Sequence, residues 1–242
     1  MNRRTFYDAL RPRLNWTTQN VYGTERVLDY AEGQRTPLEY LSYILATAWW
    51  ETGQTMHPVR EAYYMGSGAE AYRRRLRYYP WYGRGLVQTT WERNYRELGY
   101  MLNPEDTDIF IRRPDLLLEW EWALPALFVA MAAGLYTGYS LDDFLDNVDE
   151  SDEEQFREYR AARRVVNGTD RADEIGWLAL HFEKALRAAG YTGQPPVRPL
   201  PGVPPKPVDE DRVSLIGRAI ALIVALVTGL LAGINWDVLW PW

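Results

Sequence analysis

The 242-residue chain has no cysteine, two histidines and few segments that alternate like β-strands. Without cysteine, disulfides, thiolate zinc sites and a cysteine nucleophile are excluded. His57 and His181 stand far apart, with no ligand spacing around either, and both read as structural or surface residues, although His57 falls near the acids discussed below. The acidic tract from Asp142 to Glu154 lacks the central glycine with which a calcium loop makes its sharp turn. Ser151 with Glu154 three residues on reads instead as a capping box that opens a helix running to about Val166. A basic balance is missing too. With 27 Lys and Arg against 33 Asp and Glu, the net charge of −6 predicts no nucleic-acid partner, since phosphate binding favours a basic surface. Met1-Asn2-Arg3-Arg4 leads into polar residues, so no N-terminal signal peptide is expected.

What is present is helical texture. Residues 1–192 alternate amphipathic patterns with polar turns, which predicts a mainly α domain. From Gly193 the composition changes. Residues 193–212 form a proline-dense stretch, expected to be an extended, semi-rigid linker. Residues 213–237 enclose the uncharged run AIALIVALVTGLLAGINW, Ala219 to Trp236, and eighteen helical residues span roughly 27 Å, close to the hydrocarbon core of a bilayer. A buried core helix is the competing reading, but the run is apolar on all sides and follows a linker with no further domain to join. A transmembrane helix is therefore expected there, followed by a short Trp-rich tail at 238–242. Arg212 and Arg218 flank the near end and Trp236, Trp240 and Trp242 crowd the far end, which predicts that the large domain stays on the cytoplasmic side.

Two carboxylates carry the chemistry. Leu38 to Trp50 reads as a helix in which Leu41, Ile44, Leu45 and Ala48 recur at helical spacing, and Glu51 extends that apolar face. A carboxylate against hydrocarbon at the negative end of a helix dipole is expected to favour its protonated form and to act as a proton donor. Glu61 lies ten residues on, and an aromatic and glycine-rich segment follows from Tyr79 to Trp91, in which Gly83 and Gly85 let backbone approach a ligand closely. Each Tyr or Trp there could equally be core packing. Two acids beside an aromatic wall suit glycoside hydrolysis, which needs one carboxylic acid for the leaving oxygen and a second carboxylate for water or the sugar. Arg73, Arg74, Arg75 and Arg77 could meet an anionic polymer, but a solvated helix face is the plainer reading. Asn167-Gly168 suits a helix stop with a left-handed backbone.

Trp50-Glu51-Thr52-Gly53, then Tyr82-Gly83-Arg84-Gly85-Leu86-Val87-Gln88-Thr89-Thr90 and Asn94-Tyr95, resemble the core signature of the family 19 glycoside hydrolases, the chitinase-like fold also used by phage endolysins. Arg113-Pro114-Asp115-Leu116 and Val165-Val166-Asn167-Gly168 fall in the family's order, so the resemblance spans most of residues 37–190. It implies a lysozyme-like catalytic domain over residues 1–192. It also implies that Glu51 is the general acid, Glu61 the base with Glu70 as its rival, and Thr90 the hydroxyl that helps hold the attacking water. Tyr82, Gln88, Trp91, Tyr95 and Asn167 are the implied substrate-binding positions. The family's histidine before the acid is Trp50 here, a departure that bears on the surroundings of Glu51 more than on the reaction.

An inverting mechanism is implied, with the carboxyl groups about 6.5 to 9.5 Å apart and no metal or other cofactor required. The implied substrate is peptidoglycan, with chitin as the alternative polymer and a non-catalytic glycan-binding module as the competing class. Localisation is expected at the bacterial inner membrane of an infected host, with release dependent on a holin, or on a virion.

Overall fold

The structure is a computed structural model and describes residues 1–193. The expected linker (beyond Gly193), the expected membrane span and the Trp-rich tail lie outside the described residues. Among the described residues, no helix is long and apolar enough to cross a membrane.

The described chain is mainly helical: α1 (Arg3–Leu10), α2 (Thr18–Gln34), α3 (Leu38–Glu51), α4 (Ala69–Arg73), α5 (Glu92–Leu102), α6 (Ile109–Arg112), α7 (Trp120–Ala132), α8 (Asp152–Ala162) and α9 (Ala172–Ala188). Two short strands, β1 (Val59–Arg60) and β2 (Arg84–Gly85), are the only strands among these residues. Local chemistry sets many of the boundaries. The Thr17 side chain accepts from the Asn20 N–H while Asn20 returns a bond to the Thr17 N–H, and Ser151 and Glu154 do the same at the start of α8, where the spacing predicts a capping box. After α8, a 3₁₀ turn over Arg163–Val165 tightens the chain, and Gly168, at φ +46°, takes the left-handed turn expected at Asn167-Gly168.

Two apolar clusters follow from the helix faces. In the larger one, Leu41, Ile44, Leu45 and Ala48 of α3 pack with Phe6 and Leu10 of α1 and with Ile175, Ala179 and Phe182 of α9. The smaller cluster gathers Tyr95 and Leu98 of α5, Phe110 of α6 and Leu116 and Leu117 of the 3₁₀ turn Pro114–Leu118. Helix α7 serves both: Leu124, Leu127 and Met131 face the larger cluster, and Ala126 and Ala130 face the smaller. The third side of α7, with Glu121, Pro125, Val129 and Ala132, stays partly or fully open to solvent. The acid-bearing segments therefore sit on a frame in which α3 is fixed by the larger cluster and the 82–95 region by both, through Leu86 and Val87 in the larger and Tyr95 in the smaller.

Candidate active site

Glu51 is the last residue of α3, and the turn after it is built by the residues that follow in the sequence. The buried Thr52 hydroxyl donates to the Ala48 carbonyl at 2.7 Å and accepts from the Met56 N–H at 2.9 Å. Gly53 has φ +56°, and a Cβ there would stand 2.6 Å from the Tyr63 hydroxyl, which itself donates to the Thr52 carbonyl. Glycine fits this position because it accepts the left-handed backbone and leaves room for the tyrosine.

The surroundings of Glu51 differ from the hydrocarbon recess expected. Its Oε1 accepts from Arg163 Nη1 at 2.8 Å, with the arginine side chain 2% exposed and the glutamate 18% exposed. Arg163 also donates through Nε to the Asp170 carbonyl at 2.8 Å. Burial alone would depress the guanidinium, but Glu51 beside it, with Tyr43 and Asp170, outweighs burial and holds it above its ordinary value. The apolar face of α3 ends at an ion pair because the turn after α8 brings a cation to it, which helical spacing within α3 cannot disclose.

Glu61 follows β1 and continues its ladder. Val59 pairs with Gly85 and Arg60 with Arg84 in antiparallel register, and the Glu61 N–H donates to the Gly83 carbonyl at 2.7 Å. The Glu61 carboxylate accepts from Tyr78 Oη at 2.9 Å through Oε1 and from the Gly83 N–H at 2.9 Å through Oε2. Burial, and after it the Glu61 charge, pushes the Tyr78 hydroxyl well above its usual range, so it remains a donor. The rival base Glu70 is occupied by Arg74 at 3.0 Å and Arg73 at 3.3 Å, and these bonds hold its carboxyl below the ordinary value. Arg73 departs from the solvated face expected for the arginine run: it is buried and donates to the Glu61 carbonyl at 3.0 Å.

The segment between Tyr82 and Thr90 is a tight hairpin. Arg84 and Thr89 exchange backbone hydrogen bonds at 3.2 and 3.0 Å, and Gly85 turns at φ +86°. Gln88, at φ +55°, donates both Nε2 protons inward, to Val59 and Gly85 carbonyls at 3.0 and 3.1 Å. Arg84 is the hub beneath. It donates to Asp115 at 2.7 Å and to the carbonyls of Pro80 and Tyr82, and its guanidinium lies 3.6 Å from the Tyr82 ring centre. Asp115 also takes Arg60 at 2.8 Å, so the Arg-Pro-Asp segment clamps both strands.

Several implied substrate contacts therefore act inside the protein. Tyr95 is fully buried, donates to the Tyr82 carbonyl at 2.6 Å and accepts from Arg84 at 3.0 Å, so it braces the hairpin from below. Tyr82 is buried and Gln88 has committed its donors, which leaves Trp91 as the open aromatic surface of this group, 37% exposed. The Trp91 ring packs against Tyr78 at 4.9 Å, and the Arg77 guanidinium lies 5.1 Å from its centre. Half-buried Thr90 sits just past the hairpin, its carbonyl taken by Asn94 Nδ2 at 2.8 Å.

Tyr136 bonds to the hairpin and lies within reach of the Glu51 charge. Its hydroxyl shares a 2.9 Å hydrogen bond with Thr89, and burial first, then the charges of Tyr95 and Glu51, raise it above its usual range despite that bond. Asn167 belongs to the Glu51 side, its N–H donating to the Arg163 carbonyl at 2.9 Å. His57 packs against Tyr22 and Trp120, with ring centres at 5.6 and 5.3 Å, and its Nε2 contacts the Gln19 carbonyl. Arg163, Tyr78, Arg84, Asp115 and Tyr136 surround the two acids' segments, and of these only Arg84 and Asp115, each inside a quoted motif, carried a sequence signal.

A depression of about 350 Å³ lined by Pro58, Arg60, Tyr63 and Arg73 adjoins the Glu61 strand, but neither acid lines it. No set of three metal-ligand side chains converges on the acid pair among the described residues. The protein-family models, the curated proteins and the solved structures compared with this chain contain no match to it.

Proposed function

We propose that the protein is a membrane-tethered muralytic glycosidase, endolysin-like, that hydrolyses β-1,4 bonds of peptidoglycan by inversion. Glu51 donates the proton to the glycosidic oxygen as the bond to the anomeric carbon breaks. Glu61 removes a proton from a water that attacks that carbon from the opposite face, with the Thr90 hydroxyl helping to hold the water. Arg163 takes Oε1 of Glu51, so in this reading Oε2 is the oxygen that meets the glycosidic oxygen. Trp91 offers a stacking face for a sugar ring beside the base.

The observation that supports this reading best is how Glu61 is held. A base that must accept a water proton needs a fixed carboxylate, and Tyr78 and the Gly83 N–H hold both oxygens. The resemblance of the Glu51 and Tyr82–Thr90 motifs to family 19 glycoside hydrolases points the same way.

Zymography on peptidoglycan and on chitin with wild type, Glu51→Gln and Glu61→Gln tests it. Clearing of peptidoglycan by wild type alone is expected. Clearing confined to chitin would make the protein a chitinase, and equal clearing by all three chains would end the acid/base assignment. Retention on the polymer without any clearing would indicate a glycan-binding module.

A further inference from the structure

At the end of α3 far from Glu51, three carboxylates meet. Oxygens of Glu39, on the first turn of α3, Asp146, in the loop before α8, and Glu158, on α8, all lie within 4.8 Å of one another. No basic side chain forms an ion pair or hydrogen bond with any of the three among the described residues.

A second observation concerns what these groups lack. Glu39 is 1% exposed, and while its Oε2 accepts from the Asn147 N–H at 2.6 Å, its Oε1 is buried with no partner. Oε2 of Glu158 is likewise buried without a partner. Buried carboxylate oxygens with neither donor nor cation are costly, and converging like charges add to the cost. Something must neutralise them.

We propose that Glu39, Asp146 and Glu158 form a Ca²⁺ site. An all-carboxylate donor set suits a hard cation, and opposite ligands of Ca²⁺ stand about 4.6 to 5.2 Å apart, which accommodates the spread of these oxygens. Asp146 is exposed and gives the ion its way in, with water completing the coordination. The site joins three separate stretches of chain: α3, which ends at Glu51; the 146–147 loop; and α8, which leads into Arg163. The cation would tie the start of α3 to α8, as the Glu51–Arg163 bond ties the end of α3 to the turn after α8.

The test is thermal unfolding of the full chain, stripped of metal, at constant ionic strength in CaCl₂, MgCl₂ or NaCl. At 1 mM Ca²⁺ a rise in Tm of about 5 °C is expected, the size mass action gives when the ion is well above its Kd. Glu158→Gln and the exposed Asp146→Asn should each abolish the rise, and wild type should bind Ca²⁺ by calorimetry. No Ca²⁺-dependent rise in wild type would overturn the site. So would a rise of equal size in Mg²⁺ and in both variants, which is screening, or a Glu158→Gln chain more stable than wild type with no Ca²⁺ response in either, which is a shared proton. The readout is independent of glycan cleavage, so the site and the hydrolase reading fail separately.

Discussion

In the proposed reaction Glu51 has two partners to satisfy, a substrate oxygen and Arg163, and the two demands separate by experiment. Removing one member of a buried ion pair strands the other, at a cost of about 3 kcal/mol where one partner is partly solvated. Glu51→Gln is therefore expected to lower both stability and activity, while Arg163→Met lowers stability with a smaller loss of rate. Urea unfolding of wild type, both single variants and the double variant should give a coupling energy above about 1 kcal/mol, and turnover should fall about 10² to 10⁴-fold for Glu51→Gln. Additive stabilities would mean that the pair does not hold the acid. Asp115 acts on the other acid's frame. Burial pushes its carboxyl up, but the bonds from Arg60 and Arg84 outweigh burial and hold it below the ordinary 3.8. Its contribution is thus present above pH 3.8 and is lost as pH falls through the lower folded value. Because the side chain is 55% exposed, the effect should be about 1 kcal/mol or less. Asp115→Asn should flatten the acid limb of a stability profile measured from pH 5 to pH 2, and an unchanged limb would refute the clamp.

Among the elements, the turn after α3 ties local sequence to site geometry most directly. Thr52→Val keeps the shape of the side chain but removes a buried hydroxyl that makes two backbone hydrogen bonds, so a loss of about 1 to 3 kcal/mol is expected. Since Thr52 immediately follows the acid, kcat should fall with KM little changed; a Tm within about 1 °C of wild type would contradict the role given to the hydroxyl. This turn also marks the limit of what a sequence discloses. Helix α3, the Ser151 capping box and the turn at Gly168 were readable because each depends on residues within a few positions of one another. Glu61 was readable as an acid beside an aromatic segment. Its two donors were not, because the Tyr78 bond spans 17 residues and the Gly83 bond 22, and the Arg163 bond to Glu51 was hidden by a span of 112. Tyr95 misled for the same reason: a tyrosine in a motif looks the same whether it faces a sugar or carries a hairpin from beneath. The Glu39, Asp146 and Glu158 group likewise has no local spacing to betray it.

For the whole molecule, the proposed catalysis and the proposed membrane attachment fall on separate stretches of chain. The described residues up to Gly193 contain both acids, both apolar clusters and every element named above, whereas the uncharged run from Ala219 to Trp236 lies beyond them. If that run crosses a bilayer, as its length and lack of charge propose, the full chain should sediment with membranes in detergent-free fractionation and resist extraction by high salt. A chain ending at Gly193 should remain in the supernatant. It should also keep its turnover on solubilised peptidoglycan fragments, because no residue placed at the site lies past Asp170. On intact cells the two chains should diverge in a direction that reports topology. With the domain on the inner face, the full chain acts only after the membrane is breached, and added permeabiliser should raise lysis sharply. Co-sedimentation of both chains would place the membrane contact on the domain itself, and solubility of both would remove the tether.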